Sequence, residues 1–231
     1  MSFICVDRVP GVALQDRLDR RAGHAEEAAG LSGHFWTAGG DLRVRFLDGP
    51  RDLRERVMAA AADWTAGTAL SFTVVTSGGA DIRVTFAGAG NWSALGTLSR
   101  ETEMFPAGAP TMCLGEAPGA APARIAQLAR HEFGHAIGLI HEHSSPSAGI
   151  RWNRPHVLAA LAGPPNFWTP QEVADNVFAR YRSEQTQFTA FDPDSVMLYA
   201  FPPSWTLDAM TFPENIELSA QDRAFVRGIY R

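Results

Sequence analysis

The densest group of metal-binding side chains in this sequence lies at residues 131–143, H-E-F-G-H-A-I-G-L-I-H-E-H. Residues four positions apart lie on the same face of an α-helix, so a helix here would place His131 and His135 around one metal ion. Glu132 would project from the neighbouring face, within reach of a water molecule on that metal. This arrangement predicts hydrolytic metal chemistry.

A glycine and a third histidine follow this pair. Glycine tolerates the left-handed conformation of a sharp helix exit, so Gly138 would end the helix and let His141 return as a third ligand. Three protein ligands and an open fourth position are typical of catalytic zinc sites, whereas structural sites have four. The spacing therefore predicts one catalytic Zn²⁺ with Glu132 as general base. The simpler alternative is a helix that binds no metal, whose histidines make ordinary hydrogen bonds at the surface or in the core.

A methionine-containing segment, F-D-P-D-S-V-M-L-Y, occupies residues 191–199. Pro193 and the polar residues around it favour a turn. The longer histidine pattern and a downstream methionine turn together resemble the metzincin zinc proteases. This resemblance implies that Met197 lies beneath the zinc, with ordinary core packing as the alternative.

Within the metzincins the chain most resembles the astacins. Glu142 and His143 follow the third histidine as in the astacin H-E-H ending, and Tyr199 stands where astacins have a conserved tyrosine. The segment N-W-S-A-L-G-T at 91–97 is also similar. The resemblance covers about residues 36–231 and implies a zinc endopeptidase that acts on protein or peptide substrates.

The resemblance also implies roles for two individual residues. Tyr199 would ligate zinc at rest and then donate a hydrogen bond to the oxyanion of the transition state. Glu142 would bind the new N-terminal ammonium after removal of a pro-segment. The alternative for Tyr199 is a buried aromatic residue whose hydroxyl bonds the backbone. The alternative for Glu142 is a surface glutamate.

Some features depart from the astacin pattern. Astacins carry two conserved disulfides, whereas this chain has 2 cysteines in total. Leu198 replaces the histidine that astacins usually have before the tyrosine, and the segment S-S-P-S-A-G after His143 lacks charged residues. The sequence is therefore interpreted as a divergent, bacterial-type member.

Cys5 has three interpretations that the sequence leaves open. A thiolate is a good zinc ligand, so Cys5 could fill the open fourth position and keep the enzyme latent. It could instead be an inert thiol or form a disulfide with Cys113. Typical astacins use an aspartate for latency, which makes Asp7 the alternative latent-state ligand.

The order of predicted elements indicates an α+β fold with two lobes, at about 36–143 and 144–231. The N-terminal lobe would hold a twisted mixed sheet and the active-site helix, and the irregular C-terminal lobe would be closed by a helix. Residues 1–35 are either a pro-segment or an integral first helix. Periodicity predicts strands near 42–46, 70–74, 82–86, 97–100 and 111–114, and helices near 51–64, 123–138, 169–181 and 219–230. Thr169 with Glu172 predicts a capped start for the third of these helices, and Ser219 with Asp222 in the first turn predicts one for the fourth.

Two of these elements carry further expectations. The closing helix should dock on the lower lobe through Phe225, Val226 and Ile229. An extended substrate should pair with an exposed strand edge within residues 97–115.

Composition excludes several classes of function. A net charge of −5 with interspersed signs argues against nucleic-acid binding. No stretch approaches the length of a membrane span. The N-terminus resembles no signal peptide, whereas the astacin resemblance implies secretion, so a cytoplasmic location, a removed signal and another export route all remain open.

Three functions remain. The first is a zinc endopeptidase, and the second is the same enzyme as a latent precursor. The third is a zinc-binding interaction or inhibitory module without proteolytic activity. Such a module is expected to lack Glu132 or to have a fourth protein ligand within the helix, and the sequence shows neither.

Overall fold

The computed structural model describes residues 5–8, 34–180 and 190–231, with a six-stranded sheet at its centre. In chain order the strands are β1 (Val6–Arg8), β2 (Asp41–Phe46), β3 (Ser71–Val74), β4 (Ile82–Thr85), β5 (Asn91–Ala94) and β6 (Met112–Leu114). Their order across the sheet is β1-β5-β6-β4-β2-β3. Only β5 and β6 pair antiparallel, so the predicted mixed sheet and α+β class are confirmed.

The N-terminal strand lies at the edge of this sheet. β1 pairs parallel with β5, with Val6 opposite Trp92 and Arg8 opposite Ala94. Residues 1–4 and 9–33 lie outside the described residues, so the prediction of a pro-segment at 1–35 stays a prediction. The part that is described contacts the catalytic lobe through backbone pairing.

The α-helices of the described residues are α1 (Arg51–Ala61), α2 (Pro122–Ala136), α3 (Arg154–Leu161), α4 (Pro170–Val173) and α5 (Ala220–Ile229). Strand β2 alternates buried and exposed positions, with Leu42, Val44 and Phe46 inside. Helix α1 buries Leu53 and Val57 at helical spacing. These residues pack with α2 in one hydrophobic cluster, here the upper core.

A second hydrophobic cluster, here the lower core, lies in the C-terminal half. It contains Ile150, Trp152, Val157 and Tyr199 together with Cys5 from the N-terminal segment. The long helix α2 belongs to the upper core, and the cleft lies where the two cores meet. No helix in the described ranges is both long and apolar enough to cross a membrane.

The docking of the closing helix was predicted wrongly. Helix α5 begins after the predicted cap Ser219, but Val226 and Tyr230 are buried in the upper core, not the lower one. Tyr230 Oη donates to Ile137 O at 2.5 Å, just beyond the end of α2. The helix pattern showed which residues are apolar but could not show which core they contact.

The strand predicted at 97–100 is also wrong. Residues Gly96–Arg100 form a 3₁₀ helix, and the strand beside the cleft is β5. Gly96 has a φ of +50°, a left-handed conformation that ends the extended chain before the predicted strand. β6 is flanked by β4 and β5, so the sheet edge lies outside the range 97–115.

The helix predicted at 169–181 is shorter than expected. Thr169 forms the predicted capping box with Glu172, but α4 continues only as a π-helix, Ala174–Phe178. Residue 181 lies outside the described residues. The change from α to π geometry was not visible in the sequence pattern.

Candidate active site

Helix α2 carries the first two histidines and is held in place by two tryptophans. Trp36 Nε1 donates to Ala136 O at 2.7 Å, and Trp64 Nε1 donates to Arg130 O at 2.7 Å. The Ala136 carbonyl is among the last four of the helix, which have no backbone donor within it, whereas Arg130 lies mid-helix, one residue before His131. The tryptophans therefore fix the end of the helix from which His131 and His135 project.

The structure brings three histidines to one point. The Nε2 atoms of His131 and His141 are 3.1 Å apart, those of His135 and His141 3.1 Å, and those of His131 and His135 3.3 Å. Together with Cys5 Sγ, these ligand atoms all lie within 4.8 Å of one another. His135 and His141 are fully buried.

Backbone carbonyls set the tautomers of the two helical histidines. His131 Nδ1 lies 2.8 Å from Val196 O, and His135 Nδ1 lies 2.8 Å from Leu139 O. A carbonyl oxygen only accepts, so each Nδ1 carries the proton and each Nε2 presents a lone pair to the common point. This is the orientation that metal-ligating histidines require, so the donor set fits one zinc ion.

The third histidine returns through the turn after α2. Gly138 has a φ of +97°, and its N–H donates to His135 O at 2.8 Å. A side chain at Gly138 would lie 2.6 Å from the ring of Phe35, so both conformation and space require glycine. The next residues bring His141 over the end of the helix.

Glu132 and Cys5 meet on the open side of the three histidines. Glu132 is fully buried, and Cys5 Sγ donates to Glu132 Oε2 at 3.3 Å. Cys5 is itself buried, with 7% exposure. One thiol therefore contacts the predicted general base and lies among the predicted metal ligands at the same time.

The cysteine pairing left open by the sequence is excluded. Neither Cys5 nor Cys113 forms a disulfide. Cys113 belongs to β6 and lies 3.6 Å from Gly90 O, while Cys5 lies at the histidine cluster. Two of the three interpretations of Cys5 therefore remain.

Met197 lies directly beneath the histidine helix. A Cβ atom added at Gly134 would come within 2.4 Å of Met197 Sδ and 3.1 Å of Trp64. Glycine at this helical position thus lets the methionine turn approach the backbone of α2. The sequence analysis assigned no role to Gly134, although a glycine inside a helical pattern often marks a close approach.

Asp222 of helix α5 supports the methionine turn from below. Its carboxylate accepts from Ser195 Oγ at 2.7 Å, from Val196 N at 3.0 Å and from Ser219 N at 3.0 Å. Val196 also supplies the carbonyl that orients His131. The sequence predicted Asp222 only as a first-turn acid, because its contact with the turn is long-range.

The predicted support residue Glu142 lies in an acidic environment. Its carboxylate accepts from Asp192 N at 2.9 Å. Burial raises the pKa of Glu142 to about 7, and the hydrogen bond from Asp192 N opposes this shift. Burial also raises the pKa of Asp222. The backbone N–H of Glu142 donates to Met197 O at 3.0 Å, which joins the third histidine to the methionine turn.

Tyr199 points to the N-terminal segment in this structure. Its hydroxyl donates a short hydrogen bond to Cys5 O. Its ring lies 4.2 Å from that of His141 and 4.4 Å from that of His143, measured between centroids. The tyrosine is therefore beside the histidine cluster, with its hydroxyl on the peptide of Cys5.

A cavity of about 70 Å³ opens beside Glu132. Its walls include the apolar side chains of Leu128, Val196 and Leu198, and polar side chains such as that of Arg124. The Arg124 guanidinium is held by Glu116 at 2.6 Å and by a short ion pair with Glu214. The cavity thus has a mixed wall whose guanidinium is already paired.

Comparison with solved structures places the fold among zinc proteases. One structure of myroilysin, a bacterial astacin-like metalloprotease, is 35% identical with a TM-score of 0.83, covering 88% of this chain and 98% of that chain. A second, a crystal structure of myroilysin, is 32% identical with a TM-score of 0.65, covering 97% and 99%.

A more distant structure has the same fold. High choriolytic enzyme 1 (HCE-1), a hatching enzyme zinc-protease from Oryzias latipes (Medaka fish), is 17% identical with a TM-score of 0.57, covering 86% of this chain and 95% of that chain. Comparison with family models gives no match, and comparison with curated proteins gives none.

Proposed function

This chain belongs to the astacin-like zinc metalloproteases, and we propose that Glu132 is its general base and that Cys5 keeps the protein latent. It is a zinc-dependent endopeptidase with one catalytic ion, and its substrates are proteins or peptides. The observation that carries the proposal is the convergence of three histidine Nε2 atoms, Glu132 and Cys5 in one buried cluster.

His131, His135 and His141 would hold the ion, through the Nε2 atoms that face one another. When bound, zinc supplies a Lewis acid that polarises the scissile carbonyl and acidifies the attacking water. Glu132 accepts the proton of that water at its carboxylate and returns it to the leaving nitrogen. Its burial excludes bulk water, which strengthens its interaction with the proton.

Tyr199 is proposed as a second catalytic residue. Its ring lies against the imidazole of His141, so rotation of the side chain would carry the hydroxyl from Cys5 O toward the reacting carbonyl. There it would donate a hydrogen bond to the developing oxyanion. While the hydroxyl is bonded to Cys5 O, it cannot serve in this way.

The N-terminal segment is proposed as the latency device. The thiol of Cys5 lies among the metal ligands, its proton is directed at Glu132, and its carbonyl binds Tyr199. One residue therefore engages the open metal position, the base and the tyrosine at once. β1 occupies the edge of β5, which extended substrates would otherwise reach.

Substrate is proposed to bind along β5 once the N-terminal segment leaves. Backbone groups of Asn91–Ala94 would pair with the extended peptide, as they now pair with β1. The cavity beside Glu132 would take a side chain next to the scissile bond. Its apolar wall residues and its paired Arg124 favour an uncharged side chain.

The test is cleavage of a quenched-fluorescent peptide by the zinc-loaded full chain that carries Cys5→Ala. We expect turnover that a chelator abolishes and that added Zn²⁺ restores. Glu132→Gln in the same background should lower kcat by about 10³-fold with the zinc content unchanged, because the glutamate is a base rather than a ligand. Glu55→Gln makes the same chemical change at an exposed position and should have no effect.

The outcomes separate the parts of the proposal. Turnover that survives Glu132→Gln would contradict the assignment of the base. Loss of zinc from that variant would make Glu132 a ligand instead. Chelator-resistant cleavage would overturn the role of the metal.

A further inference from the structure

We propose that His143 is a positioning residue for Tyr199: it packs against the phenol ring and holds it so that the hydroxyl is aimed at the reacting carbonyl. The inference rests on the catalytic role proposed above for Tyr199. It adds a residue that is neither a metal ligand nor in contact with the substrate. The juxtaposition that carries it is a cluster of three rings, in which Tyr199 contacts the neighbouring imidazoles of His141 and His143.

The Tyr199 ring contacts the two imidazoles at similar distances. Its centroid lies 4.2 Å from that of His141, with an interplanar angle of 49°, and 4.4 Å from that of His143, with an angle of 30°. The two imidazoles also contact each other, with centroids 5.2 Å apart. His141 belongs to the histidine cluster, so its ring is fixed by the metal site. His143 needs its own anchor.

That anchor lies in the lower core. His143 is fully buried, and its Nε2 lies 3.1 Å from Asn176 O. Because a carbonyl oxygen only accepts, Nε2 carries the proton and donates. Trp152 also contacts the imidazole in an edge-to-face arrangement, with centroids 6.0 Å apart and an angle of 86°. The ring is therefore held in both position and orientation.

The π-helix explains why the carbonyl of Asn176 is available. Asn176 lies within Ala174–Phe178, the last turn before the chain becomes extended at Ala179. The final carbonyls of a helix have no partner within the helix. The imidazole N–H of His143 supplies one. Helical turns of this type are frequent at functional sites, where they redirect a backbone or side-chain group.

His143 restricts where the Tyr199 ring can move. Its imidazole lies against the phenol at an angle of 30°, and the ring of His141 contacts both, so the phenol cannot tilt toward the anchored imidazole. The hydroxyl now bonds Cys5 O, and the ring lies beside the histidine cluster. Removal of the His143 ring would let the phenol move into the space that it leaves. Because catalysis depends on ångström-scale placement of a donor, kcat should fall while KM stays close to its value.

The test is a double-mutant cycle in the zinc-loaded full chain with Cys5→Ala. Tyr199→Phe should lower kcat by about 10²-fold, as loss of one oxyanion donor does. His143→Leu should lower kcat about tenfold, with KM changed less than about twofold. In the Tyr199→Phe background, His143→Leu should change kcat less than about twofold, because there is no hydroxyl left to misplace. His143→Phe keeps an aromatic ring against Tyr199 and should recover most of the lost kcat.

A spectroscopic readout follows the tyrosine without relying on turnover. Phenolate bound to Cu²⁺ absorbs visible light by charge transfer, so Cu²⁺-loaded protein with Cys5→Ala should show a band that Tyr199→Phe removes. His143→Leu should weaken this band, and His143→Phe should retain it. Val157→Ala removes apolar volume from the same lower core but leaves His143 in place, and it should leave both band and kcat unchanged.

The outcomes distinguish this inference from the proposed function on which it rests. Equal losses of kcat in both backgrounds, or an unchanged band in His143→Leu, would overturn the positioning role while leaving Tyr199 as a catalytic residue. If Tyr199→Phe changes neither kcat nor spectrum, the proposed role of the tyrosine fails and the inference with it. Peptide cleavage that still depends on zinc and Glu132 would show that the protease function stands.

Discussion

The two sides of the histidine cluster are built in different ways. On the helix side, His131, Glu132 and His135 come from a single turn of α2. On the opposite side, here the latch side, Cys5 contacts Glu132 across 127 residues of sequence and Tyr199 contacts Cys5 across 194. The helix side is fixed by local geometry, whereas the latch side depends on contacts between distant segments.

The two sides therefore differ in how easily their contacts can be exchanged. Residues on one helical turn keep their relative positions as long as the helix is folded, which suits a metal site that must stay intact. Contacts between distant segments can be exchanged without unfolding that helix. In the function proposed above, the helix side supplies metal ligands and the base, whereas on the latch side Cys5 controls access to them and to the hydroxyl of Tyr199.

The largest expected effect comes from removing a helix-side ligand. His135→Ala in the zinc-loaded Cys5→Ala chain should lose bound zinc and at least about 10³-fold in kcat/KM, because two imidazoles leave the ion underligated. Metal analysis and a peptide cleavage assay measure the two effects. His156→Ala, a matched change at an exposed position of α3, should alter neither. Full zinc occupancy after His135→Ala would show that His135 on the helix side is not a metal ligand.

Removing the thiol on the latch side should raise the rate of peptide cleavage instead of lowering it. Cys5→Ala in the full chain should raise peptide cleavage by about tenfold or more, because it removes the thiol from the open metal position and from Glu132. Initial rates of the purified full-length proteins measure the change. Cys113→Ala removes the buried thiol of β6 and should not activate the enzyme. Equal rates for Cys5→Ala and the unaltered chain would leave Cys5 as an inert thiol.

The two sides meet at the methionine turn, which Asp222 supports. Asp222→Ala would leave three donors without their acceptor, those of Ser195 Oγ, Val196 N and Ser219 N. Each buried donor left unsatisfied costs about 1–3 kcal/mol, so we expect a loss of about 3 kcal/mol in the free energy of unfolding. Denaturant unfolding measures it. Asp175→Ala, at an exposed position, should cost less than about 0.5 kcal/mol. A similar small cost at Asp222 would show that the turn is held by other contacts.

A smaller effect is expected where helix α2 and the turn pack together. Gly134→Ala would force Met197 Sδ away from a distance of 2.4 Å and should cost about 2 kcal/mol of stability. Gly228→Ala makes the same change inside helix α5, where nothing lies within 4 Å, and should stabilise by about 0.5–1 kcal/mol. Thermal unfolding of the two variants measures the expected loss of stability in one and the expected gain in the other. Stabilisation by both changes would mean that the turn does not pack closely against α2.

The sequence predicted the helix side well for a physical reason. His131, Glu132, His135 and Gly138 are neighbours in sequence, and the 3.6-residue period converts their spacing directly into positions in space. The α+β class and the capping of the helices at Thr169 and Ser219 depend on similarly local rules. Errors appeared where an element had a choice of partners. Helix α5 packs on the upper core instead of the lower core, and a 3₁₀ helix stands where a strand was expected.

The sequence by itself determined the metal-binding chemistry, because three histidines and a glutamate at helical spacing leave few other uses for those side chains. Only the tertiary structure decided what surrounds them. It excluded a disulfide between Cys5 and Cys113, directed the Tyr199 hydroxyl to a peptide carbonyl, and placed Gly134 and Asp222 around the methionine turn. These contacts join residues far apart in the chain, and their pairing is selected by the packing of both cores rather than by any local period.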